Sequence, residues 1–257
     1  MIFNIITINK NFLKDFINIG NVKKSIEKKI VLINTWNPVK SYKENNRIDS
    51  KPYGGNGGMI IKLKPIIDTI NNIKNNSANK KQKIIYMSPQ GKKINQRDIE
   101  MLSKEKEVII ICGKYKGIDE RVLSYTDYEW SIGDYILSCG ELAASIIIDS
   151  TIRLIPGIIK NSSIKNNSFT NKILDYPNFT KPVIIDNKNV PDILLSGNHK
   201  KIKTWRLKQS LGKTWINRHD IIKKVKLNYN QKKLLFEFIQ EWRKNEQNSA
   251  RNRKRIY

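Results

Sequence analysis

Through its first 155 residues the chain alternates apolar, β-branched runs with segments whose apolar residues recur at helical spacing. Ile2–Ile8, Lys29–Thr35, Lys83–Met87, Val108–Cys112 and Tyr135–Leu137 read as strands; Phe12–Lys28, Lys64–Ile73, Gln96–Lys104 and Glu141–Leu154 read as helices. That order demands a parallel sheet, because a crossover helix is what returns the chain to begin the next strand in the same direction. An α/β domain with both faces of its sheet covered is therefore expected. Val108–Cys112 is apolar at every position, as a strand buried on both faces must be.

The rhythm stops near Gly157. Residues 158–172, rich in Asn, Ser and Lys, read as an interdomain linker between a domain over residues 1–157 and a second over 173–257. The second domain reads as helical, with apolar positions at Ile202, Trp205, Leu211 and Trp215 and again at Leu234, Leu235, Phe238 and Trp242. Residues 201–257 hold 17 Lys and Arg against 4 Asp and Glu, which is +13 of the chain's formal net charge of +25. Such an excess favours a polyanionic partner, nucleic acid ahead of an anionic membrane surface. Lys, Asn and Ile are abundant throughout, however, and A+T-rich coding alone supplies lysine. The charge is informative by its location more than by its total.

Several classes are set aside. Apolar runs such as Ile146–Ile148 fall far short of the roughly eighteen residues that span a bilayer. Residues 1–10 read as a first strand rather than a signal peptide, so a cytoplasmic protein is expected. Cys112 and Cys139 form no CxxC pair, which argues against a disulfide scaffold or a zinc site. The two histidines, His199 and His219, both lie in the basic region, and no Ser/His/Asp or Cys/His constellation accompanies them. The glycine loop Pro52–Met59 matches neither GxGxxG nor GxxxxGK[ST], which weakens a nicotinamide or nucleoside triphosphate enzyme. Three loops remain, Tyr86–Gly91, Cys112–Arg121 and Glu129–Ser138, near strand ends where open α/β sheets bind ligands.

These loops belong to a longer series. Pro52-Tyr53-Gly54-Gly55, Ser88-Pro89-Gln90-Gly91, Cys112-Gly113, Gly117-Ile118-Asp119-Glu120-Arg121, Glu129-Trp130-Ser131-Ile132-Gly133-Asp134-Tyr135, Gly140-Glu141-Leu142, Leu195-Ser196-Gly197-Asn198-His199 and Trp205-Arg206-Leu207-Lys208-Gln209-Ser210-Leu211-Gly212 occur in this order. From the first strand to about Trp215 the chain resembles the bacterial tRNA (guanine-N1)-methyltransferases of the TrmD family. The resemblance implies a SPOUT domain with a parallel sheet and a deep trefoil knot, followed by a small helical C-terminal domain. It also implies a homodimer that holds S-adenosylmethionine in the knot and methylates N1 of guanosine 37 in tRNA. The target base would sit between the knot of one subunit and the C-terminal domain of the other. Magnesium is a further requirement carried by the family.

Carried over by position, the resemblance assigns the cofactor to Tyr86, Met87, Ser88, Pro89, Gly91, Gly113, Tyr115, Ile132, Gly133, Asp134, Tyr135, Ile136, Leu137 and Gly140. Gly57, Gly58 and Ser168 are the implied tRNA contacts outside the basic helix; within it, Lys201, Arg206 and Lys208 are the candidates, interleaved with Trp205 and Trp215. Arg153 matches the arginine that stabilises negative charge on the guanine oxygen as N1 loses its proton. The family's general base is an aspartate in an Asp-Ser-Phe sequence. This chain has Asn167-Ser168-Phe169, and an amide cannot accept that proton. Lys116, Cys139 and Ala143 depart from the family's glutamate, glycine and proline. Two readings follow: a methyltransferase of reduced activity, or a non-catalytic tRNA-binding member.

Overall fold

A computed structural model describes residues 1–9, 11–41, 47–55, 57–79, 81–160, 167–169 and 172–253. Residues 161–166, 170 and 171 of the expected linker, Asn56 of the glycine loop and residues 254–257 lie outside them. The chain divides into two compact units, residues 1–161 and 162–257.

The first unit holds a five-stranded parallel sheet. Its strands are β1 (Ile2–Ile6), β2 (Leu32–Trp36), β5 (Lys83–Lys93), β6 (Glu107–Cys112) and β7 (Tyr128–Ser131), in the order β2-β1-β6-β5-β7. The central strand β6 is buried at every residue. Between β2 and β5 the chain forms a two-stranded ribbon, β3 (Asp49–Ser50) with β4 (Ile60–Ile61). The helices of this unit are α1 (Phe12–Phe16), α2 (Gly20–Glu27), α3 (Pro38–Ser41), α4 (Leu63–Asn76), α5 (Gln96–Leu102) and α6 (Gly140–Ile152). One side of the sheet packs Phe3, Ile5, Ile85, Val108 and Ile110 under α6; the other packs Ile6, Ile84, Ile109 and Ile111 against Ile66, Ile70 and Ile73 of α4.

Two expectations need correction. The helix expected over Phe12–Lys28 is two helices, broken where Gly20 takes a φ of +51°, a conformation that glycine adopts without strain. Asn18 helps end the first by donating its side-chain N–H to the Lys14 carbonyl. The strand expected at Tyr135–Leu137 is instead Tyr128–Ser131. The Ser131 hydroxyl accepts the Gly133 N–H at 3.2 Å and donates to the Gly133 carbonyl at 3.0 Å, a local turn that ends the ladder and releases residues 132–139 as a loop. Strand β5 also runs beyond Met87. Its register against β7 shifts between Met87 and Lys92, so Ser88–Gly91 bulges out of the sheet at the end where Pro89 has no N–H to give.

The second unit is helical, with α7 (Asp192–Leu195), α8 (His199–Asn217), α9 (His219–Ile222) and α10 (Tyr229–Arg253). Its core is Ile173, Leu211, Ile222 and Leu234, flanked by Leu207, Trp215 and Leu235. Gly212 allows the two long helices to meet, because a Cβ there would lie 2.3 Å from the Phe238 ring. Residues Ile158 and Ile159 of the expected linker pack with the first unit's core.

Candidate active site

The bulge after Met87, the loop after β6 and the loop after β7 converge on one cavity of about 380 Å³. Three glycine contacts fix its frame. A Cβ on Gly91 would stand 2.5 Å from the Glu129 backbone, which lets the bulged strand rejoin β7. A Cβ on Gly140 would meet the Gly113 nitrogen at 2.8 Å and the Cys112 Cα at 2.9 Å, while the Gly140 N–H donates to the Gly113 carbonyl at 2.9 Å. Helix α6 thus starts directly against the end of β6. A Cβ on Gly117, whose φ is +112°, would be 3.1 Å from the Tyr86 hydroxyl.

The structure brings nearly all the expected cofactor positions to this cavity; Gly91 and Asp134 are the exceptions. Gly91 serves strand packing, and Asp134 is exposed and ion-paired with Lys93. Ile132, Ile136 and Leu137 supply apolar wall, and backbone polar groups of the three loops supply hydrogen-bonding capacity. Burial pushes the Tyr86 phenol above its ordinary pKa, an effect moderated by a hydrogen bond with the Ile118 backbone, so it stays neutral near pH 7. Burial also raises the Cys112 thiol, helped by the negative charge of Glu141. Glu141, in the first turn of α6, is fully buried; one oxygen accepts from the Thr7 hydroxyl and the other has no hydrogen-bond partner. Ile118, Glu120, Trp130 and Ser131 line the cavity as well. They fall inside the motif segments, but nothing in their residue type marks them.

Arg153 does not line the cavity. It follows the last residue of α6, whose 13 residues rise about 20 Å from Gly140, so the cavity and the guanidinium stand at opposite ends of the helix. Leu142, Ile146, Asp149 and Arg153 share one stripe of that helix, at i, i+4, i+7 and i+11. Leu142 and Ile146 on it are 38% and 46% exposed.

In the second unit, Asn167 is exposed at the edge of a compact turn. The Ser168 hydroxyl accepts the Asp175 N–H at 2.9 Å, and the Phe169 N–H donates to the Ile173 carbonyl at 2.9 Å. The Arg218 guanidinium lies 5.9 Å over the Phe169 ring. Asp175 turns one carboxylate oxygen onto the Tyr176 N–H at 2.8 Å.

The basic helix α8 does not offer its cations equally. Lys201 is exposed one turn from the start, where the Asn198 side chain caps the helix by accepting the Lys201 N–H at 3.1 Å. Arg206 stacks 4.8 Å over the Tyr176 ring. Lys208 is turned inward: its side chain is 16% exposed and its ammonium donates to Glu241 at 2.6 Å, tying α8 to α10. Both indoles pack within the unit, Trp205 against Phe179 and Trp215 edge-on to Trp242 at 5.5 Å. Gly57 and Gly58 are exposed, and Gly58 lies over the Lys116 side chain. Among the described residues no helix is long and apolar enough to cross a membrane.

Comparison with known proteins gives this geometry a context. A family model for the tRNA (guanine-1)-methyltransferase TrmD matches residues 1–224. A tRNA (guanine-N(1)-)-methyltransferase of Buchnera aphidicola subsp. Acyrthosiphon pisum (strain APS) is 50% identical over 227 residues, covering 86% of this chain and 94% of that protein. The enzyme of the same name from Vibrio atlanticus (strain LGP32) is 41% identical, covering 93% and 98%. The crystal structure of tRNA (m1G37) methyltransferase from Aquifex aeolicus is similar with a TM-score of 0.68 and 32% identity, over 87% of this chain and 92% of that one. With its parallel α/β unit and the motif loops gathered at one end of the sheet, the chain belongs to the TrmD family of tRNA (guanine-1)-methyltransferases, enzymes of the SPOUT fold.

Proposed function

We propose that the chain methylates N1 of guanosine 37 in tRNA, next to the anticodon, with S-adenosylmethionine as donor. The observation that carries this reading is the cavity, whose lining is built from the motif loops and whose size and mixed polar and apolar walls suit S-adenosylmethionine. When bound there, the donor supplies an electrophilic methyl group. Neutral guanine carries a proton on N1, so that proton must leave as the N–CH₃ bond forms and the S–CH₃ bond breaks. Arg153 is the residue suited to hold the negative charge that grows on the guanine oxygen.

A second copy of the chain completes the site in this reading. Arg153 stands about a helix length from its own cavity, on the same stripe as the half-exposed Leu142 and Ile146. Leu142 and Ile146, large apolar side chains left part-exposed on adjacent turns, call for cover on that stripe. A homodimer packed along α6 would cover it and would bring Arg153 to an interface. The trefoil knot belongs to the same reading, supported by the seating of Gly140 on the Cys112–Gly113 backbone.

Asn167 stands where the family keeps its base, and its amide cannot take the N1 proton. The chain therefore binds donor and tRNA but transfers the methyl group slowly, by a factor of roughly 10² to 10⁴ if the base alone is lost. Among the described residues no cluster of three His, Cys, Asp or Glu side chains could hold a metal, and the cavity sets one carboxylate, Glu120, beside Lys114 and Lys116.

Labelled S-adenosylmethionine and tRNA transcripts with or without guanosine at positions 36 and 37 test the reading. Label confined to N1 of guanosine 37 is expected. Tight binding of tRNA with no transfer at long incubation would establish the non-catalytic reading instead.

A further inference from the structure

The middle residue of the Gly140-Glu141-Leu142 motif is a fully buried acid. Glu141 sits in the first turn of α6, between Gly140 and Ala143, and both of those residues line the loop-lined cavity. Glu141 itself does not, so its side chain lies behind the wall. The Thr7 hydroxyl donates to one of its carboxylate oxygens, while the other oxygen has no hydrogen-bond partner. Among the described residues no Lys, Arg or His is ion-paired with it. A buried carboxylate without a cation is costly, and one hydroxyl together with the positive end of a helix offsets only part of that cost.

The charge is felt on the cavity side of the helix. It helps to hold the proton on the Cys112 thiol, and Cys112 directly precedes Gly113, which lines the cavity and accepts the Gly140 N–H at 2.9 Å. The charged side chains of the lining itself have the opposite balance, Lys114 and Lys116 against Glu120 alone. S-adenosylmethionine brings a sulfonium cation into such a site, whereas S-adenosylhomocysteine, left after the methyl group has gone, is a neutral thioether. The lining side chains therefore favour the product. The unpaired charge behind them favours the donor.

We propose that Glu141 is a specificity-determining residue, its buried carboxylate attracting the sulfonium through the wall formed by Gly140 and Ala143, so that the cavity takes the charged donor in preference to the neutral product. This role rests on the donor reading given above and deepens it. The attraction needs no contact, because two unit charges about 10 Å apart in a protein change an affinity by something on the order of tenfold. Burial also spares it the screening that salt imposes on exposed charges.

The test measures, by calorimetry on the full chain at low and at high salt, the affinities for S-adenosylmethionine and for S-adenosylhomocysteine. The parent is compared with Glu141→Gln, whose amide oxygen can still accept from Thr7 but carries no charge. Glu141→Gln is expected to weaken donor affinity about five- to twentyfold at both salt concentrations, while product affinity stays within about twofold of the parent. Product binding also shows that the variant is folded. Equal losses for both molecules would make Glu141 a brace of α6 and overturn the assignment, and so would two unchanged affinities. Should Glu141→Gln not fold, the parent decides. A donor-to-product affinity ratio above one and independent of salt supports the buried charge; a ratio that favours the product, or that moves with salt, overturns it and assigns the discrimination to the exposed Lys116 and Glu120. A parent that binds neither molecule removes the donor reading itself, and this role with it.

Discussion

The loop-lined cavity of the first unit and the turn around Asn167 in the second are built by different means. Backbone makes the cavity: a bulge, three loops, and glycines whose neighbours sit where a Cβ would be. The chemistry expected of the turn depends on one side chain, at residue 167. A frame of main chain tolerates changes in side-chain identity, so Lys116, Cys139 and Ala143 can differ from the family pattern while the cavity persists. A site that hangs on one carboxylate has no such tolerance, because replacing oxygen by an amide nitrogen removes the proton acceptor outright.

That contrast can be broken at several points. Gly140→Val should do the greatest damage, since its neighbours at 2.8–3.1 Å are backbone atoms that cannot swing aside. A loss above about 3 kcal/mol is expected, seen as a large fall in Tm together with lost binding of S-adenosylmethionine. Gly212→Val should cost about 1–3 kcal/mol by pressing on the Phe238 ring, with donor affinity in the folded protein intact. Equal effects of the two variants on donor binding would contradict the separation of roles.

Lysines of α8 give a smaller, sharper test. Lys201→Ala should lower the salt slope of tRNA binding by about one without changing Tm, because the side chain is exposed. Lys208→Ala should do the reverse, lowering Tm while leaving the salt slope unchanged, since its ammonium is spent on Glu241. The mildest expectation concerns the two thiols. Cys139 lines the cavity and should react with alkylating reagents more slowly when S-adenosylmethionine is bound; Cys112, buried and held protonated, should not react in the native protein.

The α/β order of the first unit was legible because Val108–Cys112 of β6 is apolar at every residue and crossover helices leave a clear period. The end of the sheet was not. Tyr128–Ser131 has Glu129 in its middle and reads poorly as a buried strand, whereas Tyr135–Leu137 looks apolar but lines a cavity. In both cases the local turn that Ser131 makes with Gly133 decided where the ladder ends. The loops of the cavity could be found from glycines and motifs, but Trp130, Ile118 and Glu120 carry no local signal of where they point. Lys208 shows the opposite limit. A lysine among lysines on a basic helix looks like a phosphate contact until Glu241, 33 residues away, is seen to hold it.

The account turns on residue 167, and Asn167→Asp measures it most directly. Single-turnover methyl transfer to a tRNA transcript with guanosine at positions 36 and 37, at saturating S-adenosylmethionine, should accelerate by roughly 10² to 10⁴. Affinities for the donor and for tRNA should stay close to those of the parent. An unchanged rate with the aspartate in place would mean that some other group already takes the N1 proton and that the missing carboxylate does not limit this enzyme.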